Sequence, residues 1–349
     1  MDSRLYLRFL PLFCLLTTGA WAQMPAEKPG ATNTGPKVPR ETLTPSGSIT
    51  VSKAGTVIEN LFISGRISIK ASNVTVRNCV IDGGGTLYII QPSSESHTGT
   101  LIENCEIRNA KSSNIIGSNM TIRGCNIWDS GGDLIKPKLN CVIEQNWLHH
   151  TGSAQGAHGD GVQMTGGGNV LIRWNHFDLP YDTPVYANSQ CIIGGTQNGE
   201  LDGVTVTENW INGGGMSVNI GSKEGFPIPK NIVITKNLFG RKYQFKCLTG
   251  KPTFIACNRW EDNGQFLPDS VMTGPQVTEG CDPAVRPAPP RGLHIKRSRV
   301  FYITDRLTSA SPPEVLHDHP LFARPIARCL AGQSLFSRDL LRRSLPPVR

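Results

Sequence analysis

No Cys-x-x-Cys pair occurs in the 349 residues, so the thiol spacing of a structural zinc site is missing. After the first twenty-two residues no stretch approaches eighteen apolar residues, so no membrane span is expected. Charge is sparse at 18% of residues, while glycine (37) and proline (25) are plentiful. Such a composition suits many short strands and turns rather than helices. The net charge of +8 implies no nucleic-acid partner for the main body. Residues 283–349 hold twelve Lys+Arg against four Asp+Glu, which leaves 23 of each sign in residues 1–282.

The ends of the chain differ from its middle. Arg4 and Arg8, the apolar run Phe9 to Thr18 and the triplet Ala20-Trp21-Ala22 read as an export signal over residues 1–22. The expected location is therefore secreted or periplasmic. Ten cysteines become nine once that signal is removed, and an odd count leaves at least one thiol unpaired or paired between chains. Residues 23–45, rich in Pro, Gly, Thr and Lys, are expected to form a disordered linker. Residues 283–349 read as a basic Pro/Arg-rich tail, also disordered, because they carry ten prolines, eleven arginines and no repeat. One domain, residues 46–282, lies between them, and a monomer is expected.

Within that domain one phrase recurs: an aliphatic residue, two variable residues, Asn or Cys, one variable residue, then a large apolar residue. Copies begin at Val57, Val76, Ile102, Ile122, Ile143, Ile172, Val206, Ile234 and Ile255, with steps of 19, 26, 20, 21, 29, 34, 28 and 21 residues. Steps near twenty with variable excess are what a solenoid of three short strands per coil produces, its coils stacked about 4.8 Å apart. The expected fold is all-β: a single-stranded right-handed parallel β-helix of about nine coils. The recurrent Asn should sit at an inward bend and bond to the Asn of the next coil. Cys79, Cys105 and Cys125 take the same slot, so they should form one internal row of buried thiols. Cys141, Cys191, Cys247, Cys257 and Cys281 are the better disulfide candidates.

The phrases Asn73-Val74-Thr75-Val76-Arg77-Asn78, Asn119-Met120-Thr121-Ile122-Arg123-Gly124 and Asn231-Ile232-Val233-Ile234-Thr235-Lys236-Asn237 resemble those of the pectin-lyase-like right-handed parallel β-helix superfamily. The resemblance covers roughly residues 46–265. It implies the fold and a polysaccharide or oligosaccharide partner, but no single activity, because this superfamily hosts lyases, hydrolases, epimerases, esterases and non-catalytic spikes. Its known catalytic signatures are missing here. There is no Arg-x-Pro-x-x-Arg of pectate lyases, no Arg-Ile-Lys or Gly-His-Gly of polygalacturonases, and no Asp-Pro-His-Asp of mannuronan epimerases.

The steps of 29 and 34 residues mark two long inserts, one with His149, His150, His158 and Asp160, the other with Tyr181. Both should leave the same corner of adjacent coils and wall one groove. Asp133-Leu134-Ile135-Lys136 aligns with Asp160-Gly161-Val162-Gln163, which stacks Asp133 on Asp160 and Lys136 on Gln163. Two carboxylates so close repel, and one pKa should rise unless a cation or Lys136 intervenes. The expected catalytic residues are His158, Asp160, Asp133 and Lys136. Gln163, His149, His150, Arg173 and Tyr181 are expected to bind substrate. Asp133 and Asp160 are also the candidate ligands of a calcium ion, the one cofactor considered.

Three readings follow. The leading one is a polysaccharide lyase acting on an acidic glycan in a groove on the β-helix, which would neutralise a uronate with a cation or Arg173 and remove its C5 proton with His158 or Lys136; the next two are its alternatives. A glycoside hydrolase would use Asp133 and Asp160 as its carboxyl pair. A non-enzymatic glycan-binding protein would use the cluster structurally.

Overall fold

A chain whose apolar residues return every twenty or so positions, in runs too short for helices, can bury them only by stacking each copy on the last. The computed structural model describes residues 24–281, and there the copies stack in this way. Twenty-eight short strands form three sheets of ten, nine and nine. Each coil contributes one strand to the first, second and third sheet in turn, as Trp147–Thr151, Gly159–Met164 and Gly167–Arg173 do. Strands in neighbouring coils pair in parallel, which makes the molecule a parallel β-helix.

The inward side chains of each sheet form rows along the coil axis. In the first sheet Ile107, Ile127, Leu148, Phe177, Ile211 and Phe239 lie in register and are fully buried. Alternation does the rest: Val204 and Val206 are buried while Thr205 between them is half exposed. No helix among the described residues is long and apolar enough to cross a membrane.

Eight copies of the phrase hold the register expected from spacing; the first is shifted by one residue. Ile58, not Val57, stands opposite Val76, and Ile63 stands opposite Ile81, so Leu61 rather than Asn60 sits over Cys79. Val57 points outward and is 49% exposed. The sharp bend also lies one residue earlier than the slot. Asn60, Asn78, Asn104, Gln145, Trp174, Glu208, Lys236 and Cys257 all have left-handed φ values, from 50° to 59°. The slot residue then points straight into the interior.

From Asn146 onward that slot is a ladder of buried amides. Asn146 donates through its backbone N and its Nδ2 to Oδ1 of Asn175, both at 3.0 Å. The same double contact joins Asn175 to Asn209, Asn209 to Asn237 and Asn237 to Asn258. Gln276 closes the ladder by accepting from Asn258 N at 2.8 Å. Cys79, Cys105 and Cys125 continue the row as free buried thiols, and Cys125 N donates to Asn146 Oδ1 at 2.9 Å. Of the five disulfide candidates, Cys257 and Cys281 are bonded, whereas Cys141, Cys191 and Cys247 are buried thiols.

The structure differs from expectation before the first coil. Residues 24–43 are not a loose linker but a strap laid along the edge where the chain enters the first sheet. Lys28 pairs with Glu261 at the far end, and Pro29 O is 2.8 Å from His176 Nδ1. Gly35 N donates to Gly124 O, Lys37 N to Asn78 Oδ1 and Arg40 to Glu106. Thr44–Ser46 then pairs with Leu61–Ser64 as the first strand. Backbone groups make several of these contacts, so a Pro- and Gly-rich composition did not announce them. The expected signal (residues 1–22) and tail (283–349) lie outside the described residues.

Candidate functional site

Asp133 lies two residues before the second-sheet strand Ile135–Pro137 and Asp160 is the second residue of the next, Gly159–Met164; close backbone contacts put them there. A Cβ on Gly132 would lie 2.7 Å from Ser112 O, and one on Gly159 would lie 2.3 Å from Gly152 N. Only glycine allows either turn to close this tightly. Ile135 pairs with Val162, so the two aspartates stack one above the other, as do Lys136 and Gln163.

The four side chains form one hydrogen-bonded group. Asp133 Oδ1 accepts from Asp160 N at 2.9 Å, and its Oδ2 is 2.8 Å from Lys136 Nζ. Gln163 Nε2 donates to Asp160 Oδ2 at 3.1 Å. Both aspartates are buried, at 3% and 2% exposure. Asp160 Oδ1 is buried without a partner among the described residues. Burial first, and the Asp133 charge second, push the Asp160 carboxyl up to about 8. The Lys136 ammonium pairs with Asp133 and, with Gln163, offsets only part of this rise, so Asp160 is the protonated partner near neutral pH.

The two inserts leave the same corner, between the first and second sheets, and enclose a cleft of about 630 Å3. Ser153, Gln155 and His158 line it from one side, and Tyr181, Tyr186 and Ser189 from the other. The aspartates do not line it but lie buried behind its wall: Asp160 follows the lining residue His158 by two positions, Gly159 N donates to Ala187 O of the opposite wall, and Asp160 stands opposite Gln190. Gln190 Oε1 is a second buried acceptor without a partner among the described residues. His158 is exposed on the rim, and Tyr181 is 42% exposed with its ring near Phe245.

Three expected substrate-binding residues lie elsewhere. His149 belongs to the first sheet, paired with Trp128, and its outer face is separated from the aspartates by the bend at Gly152. Its ring stacks on Trp147 at 3.8 Å, and burial lowers its pKa to about 3, so it is neutral. His150 meets it edge-on and contacts Tyr186. Arg173 is on the third sheet, 2.8 Å from Glu144. It is one rung of a row in which Arg77 pairs with Glu59 and Arg123 with Glu103. Its guanidinium also covers Trp174 at 3.9 Å. This is a structural charge ladder, not part of the cleft.

The donor set does not fit calcium. That ion takes six to eight oxygens, but Asp133 already binds an ammonium and a backbone N–H, and Asp160 is protonated near neutral pH. No group of three or more metal-ligating side chains exists among the described residues. Sequence reasoning missed Tyr186, which lines the cleft and contacts His150, and Gln190, which follows Asp160 in the row. Tyr186 was visible in the second insert, but only the strand register reveals Gln190.

No protein-family model, curated protein or solved structure matches the chain.

Proposed function

We propose that this chain is an exported carbohydrate-active protein that cleaves an uncharged glycan by glycoside hydrolysis, with Asp160 as the acid. One observation carries the reading: a buried carboxyl held protonated to about pH 8, stacked on Asp133, two residues past His158 in the wall of a cleft between two inserts. A general acid must hold its proton at the working pH, and burial next to a like charge achieves this. In this reading Asp160 protonates the departing oxygen as the glycosidic bond breaks, Asp133 supports the developing positive charge on the sugar ring, and water adds to the anomeric carbon and returns a proton to Asp160. Gln163 and Gln190 flank the pair and orient hydroxyl groups.

The lyase reading weakens on the same geometry. Lys136 is committed to Asp133, Arg173 to Glu144, and calcium does not fit, so among the described residues a uronate carboxylate finds no free cation beside the pair. The parallel three-sheet coil supports the proposed place in the pectin-lyase-like superfamily. The Cys257–Cys281 disulfide supports export to an oxidising compartment. A second reading, glycan binding without cleavage, is favoured by the near-complete burial of both carboxyls.

A screen of neutral and acidic polysaccharides with two readouts tests the proposal. Hydrolysis yields new reducing ends without near-ultraviolet absorbance, and Asp160→Asn abolishes them. Unsaturated, absorbing products would establish the lyase instead, and binding without either product would establish the second reading.

A further inference from the structure

A second pocket, of about 260 Å3, opens on the outer face of the first sheet. Glu106, Asn126, Trp128 and His149 from three successive strands form its base, and His150 with Tyr186 of the insert bound one side. The strap runs along the opposite edge of the sheet, where Arg40 meets Glu106. The volume lies below the roughly 300–1,000 Å3 of a pocket for a drug-sized molecule, which matches one ring rather than a chain of them.

The polar atoms here are arranged by their neighbours. His149 Nε2 is 2.8 Å from Asn126 Oδ1, and its Nδ1 contacts His150 Nδ1, so the neutral His149 donates to Asn126 and accepts from His150. Asn126 Oδ1 is thereby occupied, while its Nδ2 has no partner among the described residues. Glu106 receives Arg40 and Arg108 on Oε1, and its Oε2 accepts no hydrogen bond among the described residues. Glu106 and Asn126 stand opposite each other in adjacent strands, about 4.8 Å apart. A donor and an acceptor so placed match two neighbouring hydroxyls of a sugar. Trp128 stacks with His149 and lies under Arg108, so it is the edges of these rings, with His150 and Tyr186, that line the pocket and give the C–H face of a pyranose an apolar wall. Charge is balanced around them, since Arg40 and Arg108 are offset by Glu106 and Asp82.

We propose that this pocket is a separate subsite for a single neutral sugar unit, held by Glu106 and Asn126 against Trp128 and His149. Because Tyr186 lines both this pocket and the cleft, one oligosaccharide bound in the cleft can place an end unit here. The ligand class rests on the carbohydrate reading above, but not on the chemistry of Asp160.

The test is titration of the full chain with neutral pentasaccharides of β-glucan, β-mannan, xylan and chitin, with oligogalacturonate as the acidic control. Tryptophan fluorescence and calorimetry report binding, and reducing ends report cleavage separately. At least one neutral pentasaccharide should bind. Glu106→Gln should weaken it tenfold or more, and Trp128→Phe, which keeps a ring and the fold, should weaken it severalfold and remove much of the fluorescence change. Asp160→Asn should lose cleavage and keep this binding, so loss of the hydrolase reading alone leaves the subsite standing. Failure of all four pentasaccharides to bind at millimolar concentration overturns the proposal. So does binding that folded Glu106→Gln and Trp128→Phe proteins retain at full strength.

Discussion

Replacing Asp160 with Asn keeps the size of the side chain and removes its ionisation. In the folded protein the carboxyl titrates at about 8, against 3.8 without the fold. The native state therefore binds a proton that the unfolded chain releases. Below pH 4 both states hold it, so stability is then highest with respect to this group. Stability falls as pH rises from about 4 to about 8, and is flat beyond. At 1.36 kcal/mol per pH unit, the loss at pH 7 reaches about 4 kcal/mol. Asn is neutral at every pH and escapes this loss, while its altered hydrogen bonding costs about 1 kcal/mol. The mutant-minus-wild-type stability should thus be near zero or slightly negative at pH 4, positive by about 2–3 kcal/mol at pH 7, and constant above pH 8. Urea unfolding at pH 4, 5.5, 7 and 8.5 measures the difference directly. Glycan cleavage by the same variant should fall by on the order of a hundredfold or more. A difference that does not change with pH would show that Asp160 is ionised in the native state, and the acid assignment would fall with it.

Other consequences follow from the packing. Asn209→Ala removes the acceptor of Asn175 and the donor to Ile172 O and Asn237 Oδ1, so it should cost about 3 kcal/mol or more by denaturant unfolding; a cost under 1 kcal/mol would contradict the ladder's role. Arg173→Ala should cost at most about 1 kcal/mol, as for a partly exposed pair, and leave glycan cleavage unchanged, whereas a lost activity would return Arg173 to the site. Reducing the Cys257–Cys281 bond, which closes a loop across 24 residues, should lower stability by about 3 kcal/mol, seen as a lower melting temperature in reductant.

Much of the coil was legible because its signals are periodic. Ile102, Ile122 and Ile143 mark one strand by spacing alone, and the structure pairs them residue for residue. The first copy misled by one position because Val57 and Ile58 are both aliphatic and Asn60 imitates the slot while occupying the bend. The stacking of Asp133 on Asp160 and the raised acid were also legible, since Asp-Leu-Ile-Lys and Asp-Gly-Val-Gln align by residue type. His149 and Arg173 were misplaced because nearness in sequence is not nearness around a three-sided coil. One bend at Gly152 turns His149 onto a different face, and only the cross-strand register reveals Glu144 as the partner of Arg173. The strap left no periodic trace, since a segment held largely by backbone groups has little need of a pattern.

That strap sets an order in time. Its Lys28 pairs with Glu261, so the first described stretch of the chain to leave the ribosome finds its seat only after more than two hundred further residues have been made. Coils otherwise touch only their neighbours, and such a stack can grow turn by turn from its beginning. Here residues 35–40 can seat on the early coils, at Asn78, Glu106 and Gly124, while the Lys28 end is fastened as a late step, once the last coil exists. A chain stopped before its last coil would keep its early coils in register yet leave that fastening undone, with the His176 ring that Pro29 meets bared along one edge. Completion of the molecule is thus recorded on its surface, where a protease or a chaperone that samples exposed aromatic side chains can read it.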